Sequence, residues 1–190
     1  MDTYYILSLT RNEDITQPML RMVWDRILEE SLVPVLFYDG SIQTWLQFLE
    51  CMTRPGGCPF VIIRKAYPVM FAWVNDAEGQ SMRMHFTMFR DSWGEKRHAA
   101  AIARHLLEFV LTRKDEKGFL IDTIVGVTPT SNRLACRFVQ RVGMTNLGVI
   151  PHAITLHYEG DRTDDAMVTY ATRETLGLQP DEDVRAIWNV

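Results

Sequence analysis

Side chains able to exchange a proton near neutral pH or attack a carbon are few in this chain: five histidines and three cysteines in 190 residues. His85 has the placement best suited to chemistry. It falls in the run Ser81 to Phe89, where Met84, Phe86 and Met88 alternate with Arg83, His85 and Thr87. A strand sends the first set to one face and the second to the other. An imidazole is matched to proton transfer at physiological pH, so His85 is the first candidate for a general base. His157 and Glu159, near the end of a later strand, are its alternates. His98 and His152 read as loop or loop-edge residues, and His105 as solvent-exposed on a helix. No histidine set has compact ligand spacing, which predicts no bound metal. Cys51, Cys58 and Cys136 make an odd count without paired spacing and read as reduced thiols. Cys136 falls inside a helical pattern with no base beside it, so packing is its expected role. The remaining group of note is the carboxamide of Asn132. It can cap a helix, and it can donate and accept at once toward an amide-containing ligand.

The elements that must position these residues follow from periodicity and turn signals. Tyr4 to Leu9 reads as a first strand. Thr16 is placed to cap a helix with Pro18 in its first turn and Leu20, Val23, Trp24, Ile27 and Leu28 on its buried face. Pro34 and Asp39-Gly40 break the pattern. Ser41 can cap a second helix carrying Ile42, Trp45, Leu46 and Leu49. Pro59 to Arg64, Tyr67 to Asn75 and Ser81 to Phe89 form an antiparallel meander, because their connections are too short for crossovers. A third helix is predicted over Lys96 to Leu111, burying Ile102, Leu106, Phe109 and Val110. Ile121 to Met144 then reads strand, turn at Pro129, helix from Asn132, stop at Gly143. Leu147 to His157 and Ala166 to Ala171 are the last strands. Residues 1–174 form one domain, and 175–190 a tail with a short helix over Val184, Ile187 and Trp188. The fold class is α+β, in the order β-α-α-β-β-β-α-β-α-β-β: a central mixed, mostly antiparallel sheet flanked by helices.

Composition narrows the function. The chain is 47% apolar and 23% charged, as expected of a soluble, cytoplasmic globular protein. A formal charge of −4 argues against nucleic acid as a main partner. No apolar stretch approaches membrane-spanning length, and Met1 to Tyr5 starts no signal peptide.

Asn132, Ala135, Gly143 and Met144 carry a resemblance. Their spacing is similar to the Asn-x-x-Ala, then Gly-Phe, of the GNAT N-acetyltransferase superfamily, and the order of elements over Tyr4 to Thr172 resembles that fold. In that family the third helix opens on Gln/Arg-x-x-Gly-x-Gly/Ala, whose amides grip the pyrophosphate of coenzyme A. Free N–H groups and the helix dipole supply the attraction. The matching stretch here is His98-Ala99-Ala100-Ala101-Ile102-Ala103, ahead of a leucine pair, Leu106-Leu107. It departs from the pattern: His98 replaces Gln/Arg and Ala101 replaces a glycine. Gly94, in the longer preceding loop, is placed to supply the missing flexibility. The resemblance implies acetyl-CoA or another acyl-CoA as co-substrate, with contacts from Phe89, Arg97, His98, Ala99, Ala101, Ile102, Ala103 and Asn132. A bulky residue at Ala101 is then expected to abolish acyl-CoA binding.

The reaction it implies is acyl transfer to a primary amine of a small molecule or peptide, by direct attack in a ternary complex. A free amine is mostly protonated at neutral pH, so a base helps. A splayed backbone N–H on the third meander strand can face the charge that develops on the thioester oxygen. Trp24, Phe37, Tyr38 and Trp45 fall where the family walls its acceptor site. Many members carry a tyrosine acid seven residues after the asparagine, where this chain has Val139. Relatives that acetylate protein N-termini, including ribosomal proteins, often lack it too, and residues 146–153 and 164–170 are similar to theirs. The same departures fit a rival: a non-catalytic GNAT-like module that binds coenzyme A or serves a structural or interaction role. A strand at 166–171, if at a sheet edge, would allow a homodimer.

Overall fold

The computed structural model describes residues 2–9, 13–92, 96–179 and 182–189, with the side chains of 13–15, 96 and 97 outside that description. One eight-stranded sheet organises them, in the order β10-β1-β2-β3-β4-β7-β9-β8. Strand β1 (Thr3–Ser8) leads to α1 (Glu13–Glu29), a one-turn α2 (Val33–Leu36) and α3 (Trp45–Thr53). The meander β2 (Cys58–Arg64), β3 (Tyr67–Glu78) and β4 (Ser81–Met88) is antiparallel throughout. Helix α4 (Lys96–Leu111) and a small hairpin, β5 (Lys114–Asp115) with β6 (Gly118–Phe119), precede β7 (Thr123–Pro129) and α5 (Arg133–Val142). The chain then runs through β8 (Thr145–Leu156), β9 (Arg162–Thr172) and β10 (Ile187–Asn189).

Alternation in the strands builds two cores. Met84 and Met88 point to the face covered by α4 and α5, joining Ile102, Leu106, Phe138 and Val142. The opposite face of β2 and β3, with Val61, Phe71 and Trp73, is covered by α1 and α3. There Phe48 lies within aromatic contact of Trp24, Phe37, Trp45 and Phe71. Trp24 and Phe37 are buried in this packing.

Several local expectations are corrected. Thr16 lies inside α1, and its hydroxyl donates to Leu9 O rather than capping the helix. Pro34 starts α2 instead of ending structure, because proline loses nothing in a first turn. Thr44 is the cap of α3: its hydroxyl accepts from Gln47 N–H, and the Gln47 side chain returns to Thr44 N–H, while Ser41 bonds to Asp39. The tail forms no helix over Val184, Ile187 and Trp188. It forms β10 beside β1, with Trp188 stacked on Tyr4 at 5.3 Å and on His105 at 4.0 Å. His105 is thus covered by the tail. The segment Ala166 to Ala171 belongs to β9, which is paired on both sides; the sheet edge there is β8.

One interruption in the sheet matters for function. Strands β4 and β7 are parallel neighbours, but they pair only at Ser81–Thr123, Met82–Ile124 and Arg83–Val125. Beyond that point they splay. Residues 84–88 stay paired with β3, and 126–129 with β9, while their facing edges have no strand between them.

Candidate active site

The V opened by β4 and β7 is a cavity of about 600 Å³, a size typical of small-molecule sites. Its lining comes from both faces of the sheet. On the α5 side are Met84, Phe86, Met88, Asn132, Ala135, Phe138, Val139 and Met144. On the α1–α3 side are Glu30, Leu36, Tyr38, His85, Thr87 and Glu159. The cavity is therefore a channel through the sheet, apolar on one side and mixed on the other.

The α5 side is set by local rules. Asn132 Oδ1 accepts from Ala135 N–H at 3.1 Å, which caps α5. Gly143 ends the helix at φ +108°, where a side chain would be strained and would run into the Arg104 guanidinium. The β7–α5 loop is fixed by Asp164, which accepts from Ser131 N–H at 3.0 Å and from the Thr130 hydroxyl at 3.1 Å. Burial works to raise the Asp164 pKa, but these hydrogen bonds win and hold it below the usual carboxylate range.

His85 faces the channel from β4. Its ring lies on Trp73, its cross-strand partner, at 4.6 Å and 5°. Nε2 is 3.1 Å from Asn75 Oδ1. That oxygen only accepts, so Nε2 carries the proton and Nδ1 is left as a lone pair. Burial, helped by Arg83, pushes the imidazole down to about 4. Tyr38 lines the same side, and burial, then Asp39, raises its phenol, which stays protonated at neutral pH. Its place at the channel is set by the chain after α2, which the turn following β8 meets through His157 N–H donating to Tyr38 O.

The other expected site residues divide. Glu159 reaches the channel, with its carboxylate held by Arg162 at 2.6 Å. His157 does not line it; its ring packs on Gly40 and Nδ1 bonds Asp161 at 3.0 Å. Phe89 is buried under the Arg26 guanidinium on the α1 side. Ala99, Ile102 and Ala103 pack in the core, and Ala101 is exposed away from the channel. Because α4 already runs from Lys96, its N–H groups from Ala99 onward are bonded within the helix. Among the expected contacts on α4, only Arg97 and His98 lie in the opening turn, ahead of those bonded amides. The His98 ring lines a smaller pocket with Tyr4 and Arg64, toward β1 and β2. Gly94 and the Arg97 side chain lie outside the described residues. Trp45 packs in the α1–α3 core, so of the four aromatic candidates only Tyr38 meets the channel.

Cys51 and Cys136, both half-buried, are not poised for attack. Burial raises the pKa of Cys51 and Cys136, and the Cys136 thiol donates to Pro129 O at 3.5 Å. Among the described residues no group of three His, Cys, Asp or Glu is placed to hold a metal ion, and no helix is long and apolar enough to cross a membrane.

No protein-family model matches the sequence, and neither does any curated protein. Solved structures do match the fold. A spermidine N-acetyltransferase from Vibrio cholerae, in complex with CoA and spermine, superposes with a TM-score of 0.68 at 10% identity, over 90% of this chain and 98% of that one. An aminoglycoside acetyltransferase in complex with coenzyme A and kanamycin gives 0.65 at 13% identity, over 92% and 97%. An N-acetyltransferase from Staphylococcus aureus Mu50 gives 0.60 at 14% identity, over 89% and 97%. These likenesses single out no subtype concerned with protein N-termini. Eight strands, two helical layers and a V between two parallel strands give this chain the fold of the GNAT-type acetyltransferases.

Proposed function

We propose that the chain is an acyl-CoA-dependent N-acyltransferase acting on a primary amine. The observation that carries this is the channel through the sheet at the parting of β4 and β7. An acyl-CoA supplies an activated thioester: the amine lone pair attacks the carbonyl carbon, the C–S bond breaks with its electrons going to sulfur, and the amine proton ends on the thiol. The residues fit such a co-substrate. The β4 edge from Met84 to Thr87 faces β7 without being paired to it, so backbone groups there can bond the pantetheine arm and the carbonyl oxygen. Asn132 keeps its amide N–H₂ for a ligand while its oxygen caps α5. The amides that open α4 suit the pyrophosphate.

His85 accepts from the incoming amine through Nδ1 and orients it. With a pKa of about 4 it does not retain the proton at neutral pH, so the acceptor must arrive neutral. The two carboxylates of the acceptor side are each held by an arginine, Glu30 by Arg26 and Glu159 by Arg162. That wall suits one amine on a modest apolar body better than a polycation. Spermine and kanamycin, bound by the structural neighbours, and a peptide N-terminus are the informative comparison acceptors.

The second reading is a non-catalytic module that binds coenzyme A. Val139, in place of an acid, and the low pKa of His85 favour it. Release of free thiol from acetyl-CoA across an amine panel separates the two: the enzyme releases thiol only with an acceptor present, whereas the module binds coenzyme A and releases none.

A further inference from the structure

The vertex of the V differs from the rest of the channel. Arg83 and Val125 are the last paired residues, and Met84 and Gly126 are the next on each strand. Met144 covers Gly126, with Cε 3.3 Å and Sδ 3.6 Å from where a Cβ on Gly126 would stand. Met144 N–H donates to Val139 O at 3.1 Å, which brings Val139 alongside. Met84, Gly126, Val139 and Met144 all line the channel. The Thr169 hydroxyl stands 2.7 Å from that same Cβ position, fully buried and directed at Gly126 O and Met144 Sδ, and does not line the channel. The vertex is thus a small valine, a side-chain-free glycine and two thioethers, which adapt their shape to what they contact. The titratable lining, Glu30, Tyr38, His85 and Glu159, is on the opposite side of the sheet.

We infer that this vertex is an acyl pocket and that the chain prefers a short fatty acyl group, butanoyl to hexanoyl, over acetyl. This rests on the acyl-CoA reading. With its thioester against the β4 edge at 84–87, which is not paired with β7, the acyl tail can point to the acceptor side, where the amine must approach, or into the vertex. Only the vertex removes methylenes from water without blocking the acceptor. Each methylene buried there strengthens binding about fourfold. The transfer step balances as for acetyl: a C–N bond forms, a C–S bond breaks, and the proton goes to the thiol.

Calorimetric titration of the full chain with coenzyme A, acetyl-CoA, butanoyl-CoA and hexanoyl-CoA tests this. Butanoyl-CoA is expected to bind about fifteenfold tighter than acetyl-CoA. Val139→Phe fills the vertex and removes that gain, so that butanoyl-CoA binds no tighter than acetyl-CoA. Should the larger ring unsettle α5, Met144→Ala gives the opposite readout: a wider vertex and a stronger preference for hexanoyl. Acetyl-CoA binding as tightly as butanoyl-CoA overturns the acyl pocket and leaves the acetyltransferase reading in place. Failure of coenzyme A and all three thioesters to bind overturns both.

Discussion

The two sides of the channel are built by different kinds of information. The α5 side depends on neighbours in sequence: Asn132 caps, Gly143 stops, and the helix between them presents Ala135 and Phe138 to the cavity. The α1–α3 side depends on distant pairings: Trp73 under His85, Tyr38 O receiving His157 N–H, Arg90 N–H reaching Glu30. The contrast assigns the work. The locally specified, apolar side suits a constant co-substrate, and the side assembled from separate segments suits a variable acceptor.

The sharpest way to break this comparison is to fill one side. Ala135→Trp projects into the channel, and acyl-CoA affinity is expected to fall at least a hundredfold, about 3 kcal/mol. Ala101→Trp, on the exposed side of α4, is expected to leave affinity within about threefold. This reverses the expectation drawn from the sequence alone. Titration of both variants decides it.

The second prediction concerns the acceptor side and pH. Between pH 6.5 and about 4 the unfolded chain binds a proton at His85 that the folded chain refuses. The stability tied to neutral His85 is therefore complete above pH 6.5 and lost as pH falls toward 4, by about 2–3 kcal/mol. His85→Phe is expected to flatten that part of the stability–pH curve, measured by urea unfolding. Catalysis has its own signature: kcat/KM should rise with pH up to the pKa of the acceptor amine, with no break near 6.5.

A smaller effect separates two roles of one residue. Asn132→Asp retains an oxygen to cap α5 but loses the N–H₂ donor. Its melting temperature should stay near that of the parent, while coenzyme A affinity falls about tenfold, or 1.4 kcal/mol. Asn132→Ala should lose both, with about 1 kcal/mol of stability. The smallest effect is expected at the rim. Arg162→Ala breaks an exposed pair with Glu159 and should leave the stability close to that of the parent, while freeing a carboxylate that improves KM for a polycationic acceptor.

Legibility of the sequence follows the same division. Strand alternation placed His85 opposite Met84 and Phe86, and the cap and stop of α5 were readable because each acts within a few residues. The tail was misread because Val184, Ile187 and Trp188 have helical spacing, yet the open edge of β1 and the ring of Tyr4 draw the last residues into a strand. The pyrophosphate contacts read onto 98–103 meet an α4 that begins at Lys96, bonds the amides from Ala99 onward within the helix and packs Ala99, Ile102 and Ala103 in the core. The low pKa of His85 had no local signal, since it comes from burial against Trp73. Tyr38 was legible only as one aromatic among four; the packing of the β8–β9 turn against it picks it out.

Hydrogen–deuterium exchange with and without acetyl-CoA tests the central claim most directly, because it reports on the backbone the V leaves unpaired. The account predicts slowed exchange at the β4 amides between Met84 and Met88 that are not bonded to β3, and at 131–135 where α5 opens. Protection confined to the pocket of Tyr4, Arg64 and His98, or absent from residues 84–88, would contradict it.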